Sequence, residues 1–179
     1  GTDQGNPWNK QSVFNMLNRQ KLGVSLDLGK DEGKRLLKEL VKISDIVVDN
    51  YAAGVMDRLG IGYEDLKKVK PDIIVASSTG YGATGPWAHY HSYGVVQEPM
   101  CGFMAMTGYV GDEIPYRSGV DHIDPLTGMH MAGALLAAIL HRDKTGEGQQ
   151  LDVSMMESAL NFLGPDSLDK TINNRSEQK

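Results

Sequence analysis

Residues 73–86 read Ile73-Ile74-Val75-Ala76-Ser77-Ser78-Thr79-Gly80-Tyr81-Gly82-Ala83-Thr84-Gly85-Pro86, and this stretch decides the fold. An apolar run rich in β-branched residues passes straight into a glycine-rich segment, the pattern of a strand ending in a loop. Upstream, Asp45-Ile46-Val47-Val48-Asp49 is a second β-branched run bounded by polar residues, as in buried strands of parallel sheets. Between the two lie a turn, Asn50 to Gly54, a short helical piece around Val55 to Leu59, and a helix over Tyr63 to Val69. That helix stops before Pro71, because the residue preceding a proline disfavours helical geometry. Further back, a helix starts at Asp31 and ends near Ser44. Leu36, Leu37, Leu40 and Val41 share one of its faces, and Asp31 and Glu32 complement the dipole in its first turn. Gly23 to Leu28 alternates small or polar with apolar residues and suits one more strand. The alternation predicts an α/β fold, a Rossmann-like, doubly wound parallel sheet with flanking helices, with ligands bound at the carboxyl ends of the strands. The loops after Asp49 and Ser78 are therefore the expected site.

Downstream of residue 86 the chain is more helical. Val95 to Met106 is apolar, with Pro99 placed at an end or a kink. Pro125 to His141 is apolar nearly all round and is expected to be a buried helix. Asp143 to Gly148 is a charged turn, Gln150 to Ser154 a strand, and Met155 to Leu163 a last helix. From Gly164 the sequence turns polar and reads as a frayed tail. The organisation expected is one folded unit over 1–163 and a polar C-terminal tail over 164–179.

The 179 residues are 40% apolar and 23% charged, the balance of a globular protein. Net charge is −5 with scattered basic residues, which excludes the cationic stripe a nucleic-acid binder needs. The longest uncharged apolar run, Met129 to Leu140, falls short of the roughly 20 residues that span a bilayer, so no membrane partner is expected. Gly1 to Pro7 carries neither the basic nor the apolar region of a signal peptide. Cys101 is the sole cysteine. It can build neither a disulfide framework nor a cysteine zinc site alone, which suits a reducing cytoplasmic setting.

Asp124-Pro125-Leu126-Thr127-Gly128-Met129-His130 carries the most chemistry. Asp at the N-cap and Pro at N1 start a helix well, and that explains the pair without any function. The same geometry would set an ionised carboxylate on free backbone N–H groups, pointing into a cleft, where it could act as a covalent nucleophile.

Asn18-Arg19-Gln20-Lys21, Val24 to Leu28, Val48-Asp49-Asn50-Tyr51, Gly54 to Gly60, Thr79-Gly80-Tyr81-Gly82, Gly85-Pro86, Asp124 to His130 and Lys144 to Gln149 together resemble, in order and spacing, the class III coenzyme A transferase family of formyl-CoA and carnitine-CoA type (CaiB/BaiF). The resemblance runs from about Val13 to Phe162. It implies that the chain is a fragment of that family's large domain. It also implies that the activity moves coenzyme A from an acyl-CoA donor to a small carboxylic acid. Asp124 matches the aspartate that attacks the thioester, giving an aspartyl-acyl anhydride and then an aspartyl-CoA thioester. Asn50, Tyr51 and Arg58 match residues that hold CoA, Leu26 and Gly29 a strand-end backbone contact, and His91 and Tyr93 a contact with pantetheine and phosphates. Read without the family, Arg58 suits a surface ion pair with Asp57 or Asp65, and Tyr51 a core aromatic. No tightly bound cofactor and no metal are implied, and the family forms homodimers.

The alternatives are an α-methylacyl-CoA racemase, whose catalytic histidine position falls at Tyr93 with His89 and His91 close by, and an inactive CoA-binding fragment. His122, His130 and His141 read as structural or surface residues. The sequence departs from the family at Gly94, where Asp is common, at Glu98, where Gln is common, and at Pro99.

Overall fold

The structure, a computed structural model, describes residues 10–175. Gly1 to Pro7, read for signal-peptide features, and the end of the expected tail, 176–179, lie outside the described residues. In chain order the elements are α1 (Ser12–Leu17), α2 (Asp31–Lys42), β1 (Ile46–Asp49), α3 (Val55–Arg58), α4 (Tyr63–Val69), β2 (Ile74–Thr79), α5 (Gly94–Met100), α6 (Phe103–Met106), α7 (Ile123–Thr145), β3 (Gln150–Ser154), α8 (Met155–Leu163) and α9 (Pro165–Asn173). The three strands pair in parallel in the order β1-β2-β3. Parallel neighbours require crossovers, and helices supply both of them. The α/β expectation holds.

Alternation along β2 divides the core in two. Ile73 and Val75 join Val41 of α2, Ile61 before α4 and Leu66 of α4 in one cluster, against which Leu28, Leu37, Val47 and Tyr63, among others, pack. On the opposite face α7 lies across β2 and β3 and also packs on α8 and α5. A second cluster, Cys101, Ile123, Met155, Ala159 and Leu163, joins those helices. Gly148 permits the close passage of the turn before β3 under β2, since a Cβ there would sit 2.1 Å from the Ile73 carbonyl oxygen.

Four expectations are corrected. Gly23 to Leu28 is not a strand: alternation alone cannot make one, and the segment finds no ladder partner among the described residues. The α7 helix is not buried all round. Only Ile123, Thr127, Met131 and Ala138 are buried, one stripe at helical spacing, whereas Met129, Leu136 and Leu140 are more than 60% exposed. By length and composition α7 could cross a membrane, yet here it lies against the sheet. Asp124 is not its N-cap: the cap is His122, without a side-chain cap bond, and Asp124 sits inside the first turn. Beyond Gly164 the chain is not frayed but helical over Pro165–Asn173, with Pro at the start and Asp166 in the first turn.

Candidate active site at the carboxyl ends of the strands

One rung of the sheet organises the loops that build the site. Asp49, Ser77 and Asp152 are register neighbours on β1, β2 and β3. Ser77 Oγ donates to Asp49 Oδ2 at 2.5 Å, and Asp49 Oδ1 accepts from the Tyr51 N–H at 3.1 Å, which fixes the turn after β1. Asp152 Oδ2 accepts from the Ala83 N–H at 2.8 Å and holds the loop after β2. Asn50 Nδ2 then ties the two loops together, donating to the Ser78 carbonyl at 2.7 Å. The Gly80 carbonyl is held from two sides, by Gln97 Nε2 at 3.1 Å and the Met156 N–H at 3.0 Å.

Over these loops opens a cleft of ≈ 190 Å³ whose walls include Asn50, Tyr51, Ser78, His91, Tyr93 and Asp124. Five predicted site residues therefore meet: Asp124, Asn50, Tyr51, His91 and Tyr93. Tyr51 is 46% and Tyr93 75% exposed, so neither is a core aromatic. Three others stand apart from the cleft walls. Leu26 is half-buried in irregular chain, and Gly29 lies in a turn where its N–H donates to Asp27 Oδ1 at 3.1 Å. The resemblance matched both to a strand-end backbone contact, and no strand forms at Gly23 to Leu28. Arg58, on α3, makes no ion pair with Asp57 or Asp65. It donates to the carbonyl of Ala53, a cleft-lining residue, at 3.5 Å.

Asp124 is set by contact with α5. The Gly94 N–H, first in α5, faces its carboxylate and favours the ionised form, whereas burial first and the charge of Asp121 second hold its pKa above the ordinary aspartate value. The balance is upward, against the sequence expectation that the helix start alone would keep the group ionised. Position 94 must be glycine for this approach, because a Cβ there would lie 2.4 Å from Asp124 Oδ2 and 2.8 Å from its Cγ. The glycine that departed from the family pattern is thus the residue that seats the carboxylate. Sequence reading missed it because the contact spans 30 positions. Among the described residues no group of three or more His, Cys, Asp or Glu comes together to hold a metal.

A three-stranded parallel sheet with flanking helices and a partly buried carboxylate in a cleft at its strand ends defines the class, an α/β protein with its candidate site over the strand ends. Comparison with known proteins narrows the class. The family described as CoA-transferase family III matches residues 2–179, and the chain belongs to that family. It is 42% identical over 152 residues to an acetyl-CoA:oxalate CoA-transferase of Acetobacter aceti, covering 84% of this chain and 39% of that protein. To a succinyl-CoA:glutarate CoA-transferase of Mus musculus it is 38% identical over 154 residues, 86% of this chain and 35% of the relative. The crystal structure of a CAIB/BAIF family protein from Brucella suis superposes with a TM-score of 0.86 at 32% identity, covering 90% of this chain and 43% of that one. The chain thus spans well under half the length of these relatives.

Proposed function

We propose that the protein moves coenzyme A between an acyl-CoA donor and a carboxylic acid, with Asp124 as the nucleophile. The observation that carries this reading is the convergence of Asp124, Asn50, Tyr51, His91 and Tyr93 on one cleft. An Asp124 carboxylate oxygen attacks the thioester carbonyl and expels the CoA thiolate, leaving an aspartyl-acyl anhydride. The thiolate then attacks the aspartyl carbonyl, releasing the donor acid and leaving an aspartyl-CoA thioester. The acceptor carboxylate repeats both steps in reverse and departs as the new acyl-CoA. Each exchange conserves the activated acyl bond, so neither ATP nor metal is consumed. Partial burial destabilises the Asp124 anion relative to water and makes it more nucleophilic, while the Gly94 N–H favours the ionised form.

At ≈ 190 Å³ the cleft is smaller than the roughly 300–1,000 Å³ of drug-sized pockets, and suits the acyl thioester end while the rest of CoA lies along the open surface. Relatives named for oxalate and glutarate support small dicarboxylic acids as the acceptor class. Exposed Met129, Leu136 and Leu140 on α7 support burial against further protein, in this reading the rest of the polypeptide or a second copy in a cytosolic homodimer.

His91 in the same cleft favours one second reading, a racemase using His91 and Asp124 as an acid/base pair. One assay separates them. The complete gene product is mixed with acyl-CoA donors, with and without dicarboxylic acids, in deuterated water, and the CoA esters are identified by mass. A new acyl-CoA formed only with acceptor supports transfer, whereas deuterium at the α-carbon without acceptor supports the racemase. CoA binding with neither reaction contradicts both and leaves a CoA-binding fragment.

A further inference from the structure

Glu98 lies on α5 one turn beyond Gly94, about 6 Å along the helix axis at 1.5 Å per residue. Its side chain is 1% exposed. A carboxylate withdrawn from water is costly unless donors replace the lost hydration, and three contacts do so here. Oε1 accepts from Ser118 Oγ at 2.6 Å and faces His122 Nδ1 at 3.1 Å, and Oε2 accepts from the Ser118 N–H at 3.3 Å. The His122 ring packs on Phe103 and Phe162, with centroids at 4.8 and 5.7 Å. With Nδ1 facing Glu98, Nε2 is buried without a partner among the described residues. His122 is the N-cap of α7, two residues before Asp124, and Ser118 stands near the end of a segment, 108–121, that is exposed throughout. Helix α5 therefore grips the start of α7 at two points, Gly94 on the Asp124 carboxylate and Glu98 on the residues that lead into it.

We propose that Glu98 is a positioning residue for Asp124: its buried contacts with Ser118 and His122 fix the first turn of α7 so that the Asp124 carboxylate meets the Gly94 N–H and faces the cleft. The proposal rests on Asp124 being the nucleophile. Glu98 does not itself line the cleft, so its loss should slow the reaction without weakening acyl-CoA binding. A 1 Å displacement of a reacting group can cost about 100-fold in rate.

The test measures kcat, KM for acyl-CoA and melting temperature for the complete gene product and for Glu98→Ala, Glu98→Gln and Ser118→Ala. In Glu98→Ala we expect kcat to fall about 10- to 100-fold with KM unchanged within about twofold, on the scale set by such displacements. Glu98→Gln can keep an oxygen facing Ser118 Oγ and His122 and should recover most of the loss. Should Glu98→Ala not fold, the lowered kcat of Ser118→Ala at wild-type KM decides. Wild-type kcat in the folded variants, or a rise in KM alone, overturns the positioning role. A wild-type protein that transfers no CoA contradicts the proposed function instead, so the two failures are distinguishable.

Discussion

Gly94→Ala isolates the geometry of the carboxylate from the stability of the fold. The added Cβ would stand 2.4 Å from Oδ2, 2.8 Å from Cγ and 3.0 Å from Oδ1 of Asp124, so the whole carboxyl group must retreat. Ordinary contact begins near 3.4 Å, which makes the displacement about 1.0 Å (3.4 − 2.4). A shift of that size costs about 100-fold in rate, or ~2.7 kcal/mol of transition-state stabilisation. Stability should change little, because position 94 has no left-handed φ and its Cβ meets only the end of a side chain. Alanine is moreover the better helix former by up to ~1 kcal/mol. The assay is steady-state turnover beside thermal unfolding of the same preparation. A folded Gly94→Ala enzyme with wild-type kcat would refute the claim that this contact seats the nucleophile.

Gly148→Ala should show the opposite pattern, since its Cβ would meet the backbone of Asp72 and Ile73 and overpacking of that kind costs about 1–3 kcal/mol, read as a lower urea midpoint. Asp124→Asn should abolish transfer without destabilising the fold. The raised pKa means that the folded state binds the proton more tightly than the unfolded one, so the ionised group subtracts from stability above its folded pKa and ceases to matter below the unfolded value. The variant should thus match wild type in acid and exceed it in stability near neutrality, measured by denaturant unfolding at two pH values. For the same reason the acid limb of kcat/KM should fall at a pH above the ordinary aspartate value of 3.8. Burial raises the pKa of the Cys101 thiol, so a thiol reagent should label it only in denaturant.

The strands at Ile46–Asp49, Ile74–Thr79 and Gln150–Ser154 were legible because a short β-branched or alternating run bounded by polar residues is a local signal. Gly23 to Leu28 carried the same signal and made no strand, because pairing is decided by a neighbour. The long helix was legible in extent but not in burial: Ala and Leu surround it, and only the sheet selects the stripe Ile123, Thr127, Met131 and Ala138. Its predicted capping aspartate lies two residues past the true cap, so Asp124→Ala should lose no capping energy. At the site, ordered motifs led to Asp124, Asn50 and Tyr51, whereas Gly94 and Glu98 stood out only as departures. Their reasons are contacts made through space, with Asp124 and with Ser118 and His122, which no spacing encodes.

In the proposed reaction the Asp124 side chain becomes acylated. Turnover of the complete gene product with acyl-CoA in the presence of hydroxylamine, followed by peptide mass spectrometry, reads this directly. An aspartyl hydroxamate on the peptide containing Asp124 is expected. Full turnover with that peptide unmodified, or with the hydroxamate on another carboxylate, would contradict it.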